Sequence, residues 1–176
     1  MKPWDLFKIF NTFLKKCPLA FFLGLFFLNY GCSLPKITVM NDPLSKVEHF
    51  ALGLTYEKKG QFDLALREYK LAEPYPLATL GIGNISFIQG EFKAAEKSYR
   101  KVLARTKDPD AANNLAFLLV MEHRDLQEAY ELALLAVEEA LKLDLTDEIL
   151  KNYRSTLNLA ETALMNSQKN LERTAQ

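Results

Sequence analysis

Residues 52–72 read LGLTYEKKGQFDLALREYKLA, and residues 82–102 read IGNISFIQGEFKAAEKSYRKV. With the two stretches aligned, Leu52 falls on Ile82, Gly53 on Gly83, Tyr56 on Ser86, Gly60 on Gly90, Phe62 on Phe92, Ala65 on Ala95, Tyr69 on Tyr99 and Ala72 on Val102. A third block (Leu115, Ala116, Leu119, Leu126, Ala129, Ala133 and Ala136) keeps this pattern with one extra residue in its turn. Within each block the apolar positions recur at helical spacing on both sides of a short polar break, Lys58-Lys59-Gly60-Gln61 or Ile88-Gln89-Gly90-Glu91. This spacing predicts two amphipathic helices joined by a tight turn. The first helix carries a small residue where its partner must come close, and the second sets Ala and Tyr at i and i+4 on one face.

Phased helix–turn–helix units of this kind resemble tetratricopeptide repeats, whose usual period is about 34 residues. The step from Ala95 to Ala129 matches that period, whereas the step from Ala65 to Ala95 falls short of it by four. Losing four residues removes about one helical turn at roughly 3.6 residues per turn, so the faces stay in phase. Pro74 and Pro76 supply the means, because proline stops the preceding helix early. The resemblance covers about residues 44–143 and implies an all-α fold: a right-handed superhelical stack of about three helix–turn–helix repeats. The repeats are expected at about 44–73, 76–105 and 109–143, within a body of 43–143 that opens at the Asx cap and proline of Asn41-Asp42-Pro43. The third block has His123-Arg124-Asp125 in place of the turn glycine. After a break at Asp144 to Asp147, a capping helix is expected at 146–168, its polar outer face covering the end of the stack, and then a flexible tail at 169–176.

The stretch from Met1 to Gly31 has a different character. It holds seven of the twelve phenylalanines, and Lys2, Lys8, Lys15 and Lys16 against Asp5 alone. The whole chain balances 22 basic against 22 acidic side chains, so the remainder is net acidic. It shows no clustered basic charge of the kind that displaces counterions from phosphates, which argues against a nucleic-acid partner. Leu19 to Leu28, LAFFLGLFFL, rises about 15 Å as a helix, half of a ~30 Å hydrocarbon core. With Lys15 and Lys16 in front and Leu28-Asn29-Tyr30-Gly31-Cys32-Ser33 behind, it resembles a bacterial lipoprotein signal. The resemblance implies a signal peptide at 1–31 cleaved after Gly31, acylation of Cys32 that holds the protein at the membrane, and a tether at 32–42. Asn29 departs from the pattern, which places an aliphatic residue three positions before the cysteine. The alternative is an uncleaved membrane anchor running from about Cys17 to Tyr30. Ser33 does not resemble the aspartate that retains lipoproteins in the inner membrane, so the expected location is the outer membrane of the bacterial envelope, facing the periplasm. Cys17 and Cys32 are the only cysteines, and removal of the leader leaves no disulfide framework.

Candidate chemistry is sparse. His49 and His123 are the only histidines; both read as ordinary packing or surface residues, and Glu138-Glu139 sits among basic residues on a solvated face. Phosphate loops, metal-ligand spacings and nucleotide fingerprints are absent, and Gly81 and Gly83 belong to a helix as close-packing positions. The reading is therefore a binding protein, not an enzyme, with no metal and no cofactor. The repeat resemblance implies a concave groove lined by the first helix of each repeat. Its groove positions fall on Phe50, Leu54, Glu57 and Lys58, then Leu80, Asn84, Phe87 and Ile88, then Asn113, Phe117, Val120 and Met121. This lining is more apolar than charged and lacks the Lys/Arg cluster with which chaperone-binding members of the family clamp a terminal carboxylate. Asn84 and Asn113 are expected to hydrogen-bond a peptide backbone, so the expected partner is another envelope protein or an apolar peptide segment. Self-association through the groove or the capping helix is the alternative.

Overall fold

The computed structural model describes residues 42–174. The expected signal segment, Cys32 and the tether up to Asn41 lie outside the described residues. Among the described residues there are seven helices and no strand: α1 (Lys46–Lys58), α2 (Phe62–Ala72), α3 (Pro76–Ile88), α4 (Phe92–Leu103), α5 (Pro109–Met121), α6 (Leu126–Lys142) and α7 (Asp147–Thr174). Each helix packs on the next in the chain; α1 also touches α3, and α7 reaches α5 as well as α6. The body is thus three helical hairpins followed by one long helix.

Local chemistry sets the helix ends. The first helix starts later than the Asn41-Asp42-Pro43 signal predicts. Ser45 caps it through a reciprocal box: the Glu48 N–H donates to Ser45 Oγ (3.3 Å), and the Ser45 N–H donates to Glu48 Oε2 (2.7 Å). Satisfying two orphan donors at once makes this the preferred start. Prolines open α3 and α5, and Asp108 caps α5 by accepting from the Ala111 N–H at 2.9 Å. The hairpin turns share one device. Gly60 and Gly90 adopt φ of +70° and +76°, and the next residue's N–H bonds back to Tyr56 and Ser86 respectively. In the third hairpin His123 takes the same left-handed conformation (φ 51°), and the Arg124 N–H reaches Leu119 O. A side chain thus occupies a conformation that favours glycine.

Of the expected tail, residues 169–174 continue α7, which runs to Thr174. Residues 168–174 contain no helix breaker, and Arg173 in the last turn complements the helix dipole.

Tyrosines in the second helices fill the space between successive first helices. Tyr69 is fully buried with its ring between Gly53 of α1 and Gly81 of α3; a Cβ on either glycine would come within 2.5 Å of that ring. Tyr99 lies against Gly83 of α3, where an added Cβ would come within 2.6 Å of its ring. Ala65, Ala95, Ala129 and Ala133 are fully buried. At the other end, α7 lays Leu150, Tyr153 and Ala160 on α5 and α6, covering Ala112, Ala136 and Val137, and Tyr153 Oη donates to Asp110 at 2.6 Å. His49 is a packing residue: it is buried in the first hairpin, its Nδ1 2.8 Å from Oε2 of the equally buried Glu68.

Charges sit on another face. Arg100 of α4 makes a two-pronged contact with Glu128 of α6 (2.5 and 2.8 Å) and also bonds Glu96 at 2.8 Å; Arg124 bonds Glu96 from the third turn. Lys101 bonds Glu73 at 2.5 Å. Apart from Arg100–Glu96, which lies within α4, these pairs bridge one hairpin to the next.

Candidate functional site: a cleft between the third and fifth helices

On α3, Asn84, Phe87 and Ile88 are spaced i, i+3 and i+4 and so share a face. On α5, Asn114 and Phe117 repeat the i, i+3 step. With Tyr99 of α4 between them, these six residues line a cleft of about 190 Å³. Phe87 stacks obliquely with Phe92 and Phe117, at centroid distances of 5.6 and 6.0 Å. Ile88 is 60% exposed and Phe117 39%, so the walls present apolar surface to solvent. The lining contains no Asp, Glu, Lys, Arg or His.

The floor is a chain of amides. Tyr99 Oη donates to Asn84 Oδ1 (3.1 Å), Asn114 Nδ2 donates to the same oxygen (2.9 Å), and Asn113 Nδ2 donates to Asn114 Oδ1 (3.2 Å). Burial pushes the Tyr99 hydroxyl well above the usual phenol range, which keeps it a neutral donor. Asn113 Oδ1 at the far end is buried with no hydrogen-bond partner among the described residues.

Of the twelve expected groove residues, the cleft gathers Asn84, Phe87, Ile88 and Phe117. Leu80 and Asn113 are corrections: they are 6% exposed and face the interior. They occupy equivalent positions in α3 and α5, so the same position of the unit faces inward in both. The groove-facing asparagine is Asn114, one residue on and about 100° around the helix. Tyr99 was missed for a different reason. It lies on a second helix, and its ring reaches the cleft only because Gly83 leaves room. Phe50 and Leu54 pack onto the Tyr69 cluster, Phe50 5.9 Å from Tyr69 and edge-on to Tyr75 at 5.2 Å. Glu57 accepts a hydrogen bond from the Tyr69 hydroxyl, and Lys58 is exposed at the end of α1. Val120 is half-buried against the core, and Met121 is 40% exposed at the end of α5. A larger hollow of about 400 Å³ runs from Gly60 to Leu64 and Gln89. Turn residues form much of it, so it has no repeating register for a bound chain.

Among the described residues, no group of three or more His, Cys, Asp or Glu side chains is placed to hold a metal ion. No helix among them is long and apolar enough to cross a membrane. No protein-family model matches the chain, and no curated protein matches its sequence.

Proposed function

We propose that this chain is a membrane-anchored envelope lipoprotein that works as an adaptor, binding a segment of another envelope protein and catalysing nothing. In this reading the hairpins α1/α2, α3/α4 and α5/α6 are three tetratricopeptide-like repeats in a right-handed superhelical stack. The long α7 caps the stack, and acylated Cys32 holds it at the outer membrane. Three features support the repeat reading: the recurrence of Gly53/Tyr69 as Gly83/Tyr99, the shared left-handed turn, and the contacts of α1 with α3 and α5 with α7.

The observation that carries the functional reading is the cleft itself. Phe117 and Ile88 remain open to solvent beside an uncharged polar floor, in a chain of which 25% of the residues are charged. A concave apolar lining with a few convergent polar groups is the usual form of a recognition site.

The test is a cross-linked pull-down from the native envelope, comparing the wild type with the Phe87→Glu/Phe117→Glu double variant after circular dichroism shows equal helicity. Capture of one protein by the wild type and its loss in the variant is expected. Equal capture by both, or capture of this chain alone, overturns the groove reading; the second result turns attention to self-association. The anchor has its own test. Cys32→Ala is expected to release the protein from the membrane fraction, whereas retention would support the uncleaved anchor.

A further inference from the structure

Successive helices alternate in direction, so the stack has two edges, one made by the hairpin turns and the other by the loops between hairpins. The loop edge gathers the starts of α1, α3, α5 and α7 and the ends of α2, α4 and α6. Hydrogen bonds tie it together. Lys46 Nζ at the start of α1 donates to Glu73 O just after α2 (2.7 Å), and Lys101 Nζ near the end of α4 donates to Glu73 Oε1 (2.5 Å). Arg105 Nη1 donates to Pro74 O (3.1 Å), and Tyr153 of α7 reaches Asp110 of α5 further along.

Apolar side chains stay in solvent along this edge. Val47, Leu71, Leu77, Leu141, Leu143 and Ile149 lie in, or next to, the first or last turns of their helices. The least open of them, Ile149, is 38% exposed, and Leu141 and Leu143 reach 56% and 59%. The turn edge differs: Gly60-Gln61, Gln89-Gly90-Glu91 and His123 face solvent there, each glycine or polar. Exposed leucines scattered singly need no explanation, whereas apolar groups strung along one edge mark a contact surface.

The entry point of the chain says what the contact is. The residues before Pro43 join the body at this edge, just ahead of α1. Between Cys32 and Pro43 lie Ser33 to Asp42, which span at most about 35 Å even when fully extended. With Cys32 acylated, a bilayer is therefore held within reach of the loop edge, and the tether makes even a weak contact persist through effective concentration. Arg105, Lys107 and Lys142 are exposed among the apolar groups, and such side chains lay their stems on hydrocarbon while their charges reach headgroup phosphates. Asp144, Asp147 and Glu148 offset that charge at the same edge, so the apolar side chains carry the contact.

We propose that the loop edge rests on the phospholipid surface, with Leu71, Leu77, Leu141 and Leu143 entering the boundary between headgroups and acyl chains. This goes beyond the adaptor reading and rests on its membrane anchor. From Leu77 to Ile88 is about 16 Å along α3, so the docked molecule holds its cleft clear of the bilayer.

The full chain carrying Leu143→Trp or Gln89→Trp is reconstituted into vesicles of equal parts phosphatidylethanolamine and phosphatidylglycerol, with or without bromine on the acyl chains. Both positions are exposed, and the wild type, whose one tryptophan is Trp4, supplies the baseline to subtract. Emission from Leu143→Trp is expected to shift to the blue and to be quenched by brominated lipid; that from Gln89→Trp is expected to do neither. Quenching should survive high salt, because screening weakens charge pairs and spares apolar burial. Adding Leu71→Gln, Leu77→Gln and Leu141→Gln together should abolish it, with helicity unchanged by circular dichroism.

Equal quenching at both sites overturns the proposal, as does quenching that is lost in salt or survives the three glutamine substitutions. A blue shift in Leu143→Trp without quenching means that a second copy covers the edge, and overturns it too. Flotation judges the anchor separately. Vesicles that float without the chain overturn the anchor reading and the proposal with it, whereas a chain that floats with Leu143→Trp unquenched overturns the proposal alone.

Discussion

Single residues set the close packing of this molecule, and their effects separate into sterics and backbone. At Gly53 and Gly81 a methyl group would meet the Tyr69 ring at 2.5 Å, and the ring is enclosed and cannot swing away. Gly53→Ala or Gly81→Ala should cost about 1–3 kcal/mol, the range for overpacking a filled core; urea unfolding reads it directly. A methyl group added at Gly90 would meet nothing within 4 Å, so Gly90→Ala tests the backbone alone. Its left-handed φ should cost about 1 kcal/mol in the alanine variant. His123 is the converse case, and His123→Gly should stabilise the third hairpin by up to about 1 kcal/mol, read as a raised urea midpoint at constant slope. A lowered midpoint would mean that the imidazole makes contacts worth more than the backbone strain. At this scale the sequence was legible wherever a residue type has one dominant physical use. The turn glycines and the close-packed Gly83 could be read directly. Asn113 could not be told from Asn114, because adjacent asparagines on an apolar helix carry the same propensity and only the packed register separates them.

At the scale of elements, the hairpins are joined by buried aromatic wedges and by charge pairs that span from one hairpin to the next. Hydrogen bonds from Arg124 hold Glu96 below the usual carboxylate range, and those from Arg100 do the same for Glu128. A carboxylate with a lowered folded pKa contributes stability above its unfolded value; that contribution is lost as pH falls through the folded pKa. Both side chains keep solvent contact, so each is worth no more than about 1 kcal/mol. Asp108 has the opposite sign, because burial raises its pKa and the fold favours its protonated form as pH falls. Arg100→Met should therefore flatten the acid-side loss of stability in denaturant titrations between neutral pH and about pH 3, leaving the Asp108 contribution in place. An unchanged slope would show that the Arg100–Glu128 bridge contributes nothing to hairpin docking. Helix order and turn positions were readable from periodicity at this scale. The start of α1 was not, because an Asn-Asp-Pro run and a Ser-x-x-Glu box a few residues apart compete, and the reciprocal box satisfies more donors. The end of α7 was not either, since exposed polar residues suit a helix and a tail equally well.

For the whole molecule, the long α7 decides whether the last hairpin has a core. It covers Ala112, Ala136, Val137 and Ala140 with Leu150 and Tyr153, apolar surface that α5 and α6 cannot bury alone. Ending the chain after Asp144 should lower the thermal midpoint sharply and produce concentration-dependent association, seen by light scattering. A truncated chain that stays monomeric with an unchanged midpoint would show that α7 is not a structural cap. The same logic separates α7 from the cleft. The cap buries Leu150, Tyr153 and Ala160, whereas Phe117 and Ile88 stay open to solvent beside a floor of amides. The central claim is that this opening is where a partner sits. The most direct measurement places a photo-activatable phenylalanine at Ile88 in the intact envelope, with the same group at the exposed Lys97 of α4 as control. The account predicts a single cross-linked species from Ile88 that is absent from Lys97 and disappears when Phe87→Glu/Phe117→Glu is added. Equal adducts from both sites, or from Ile88 only a dimer of this chain, would contradict it.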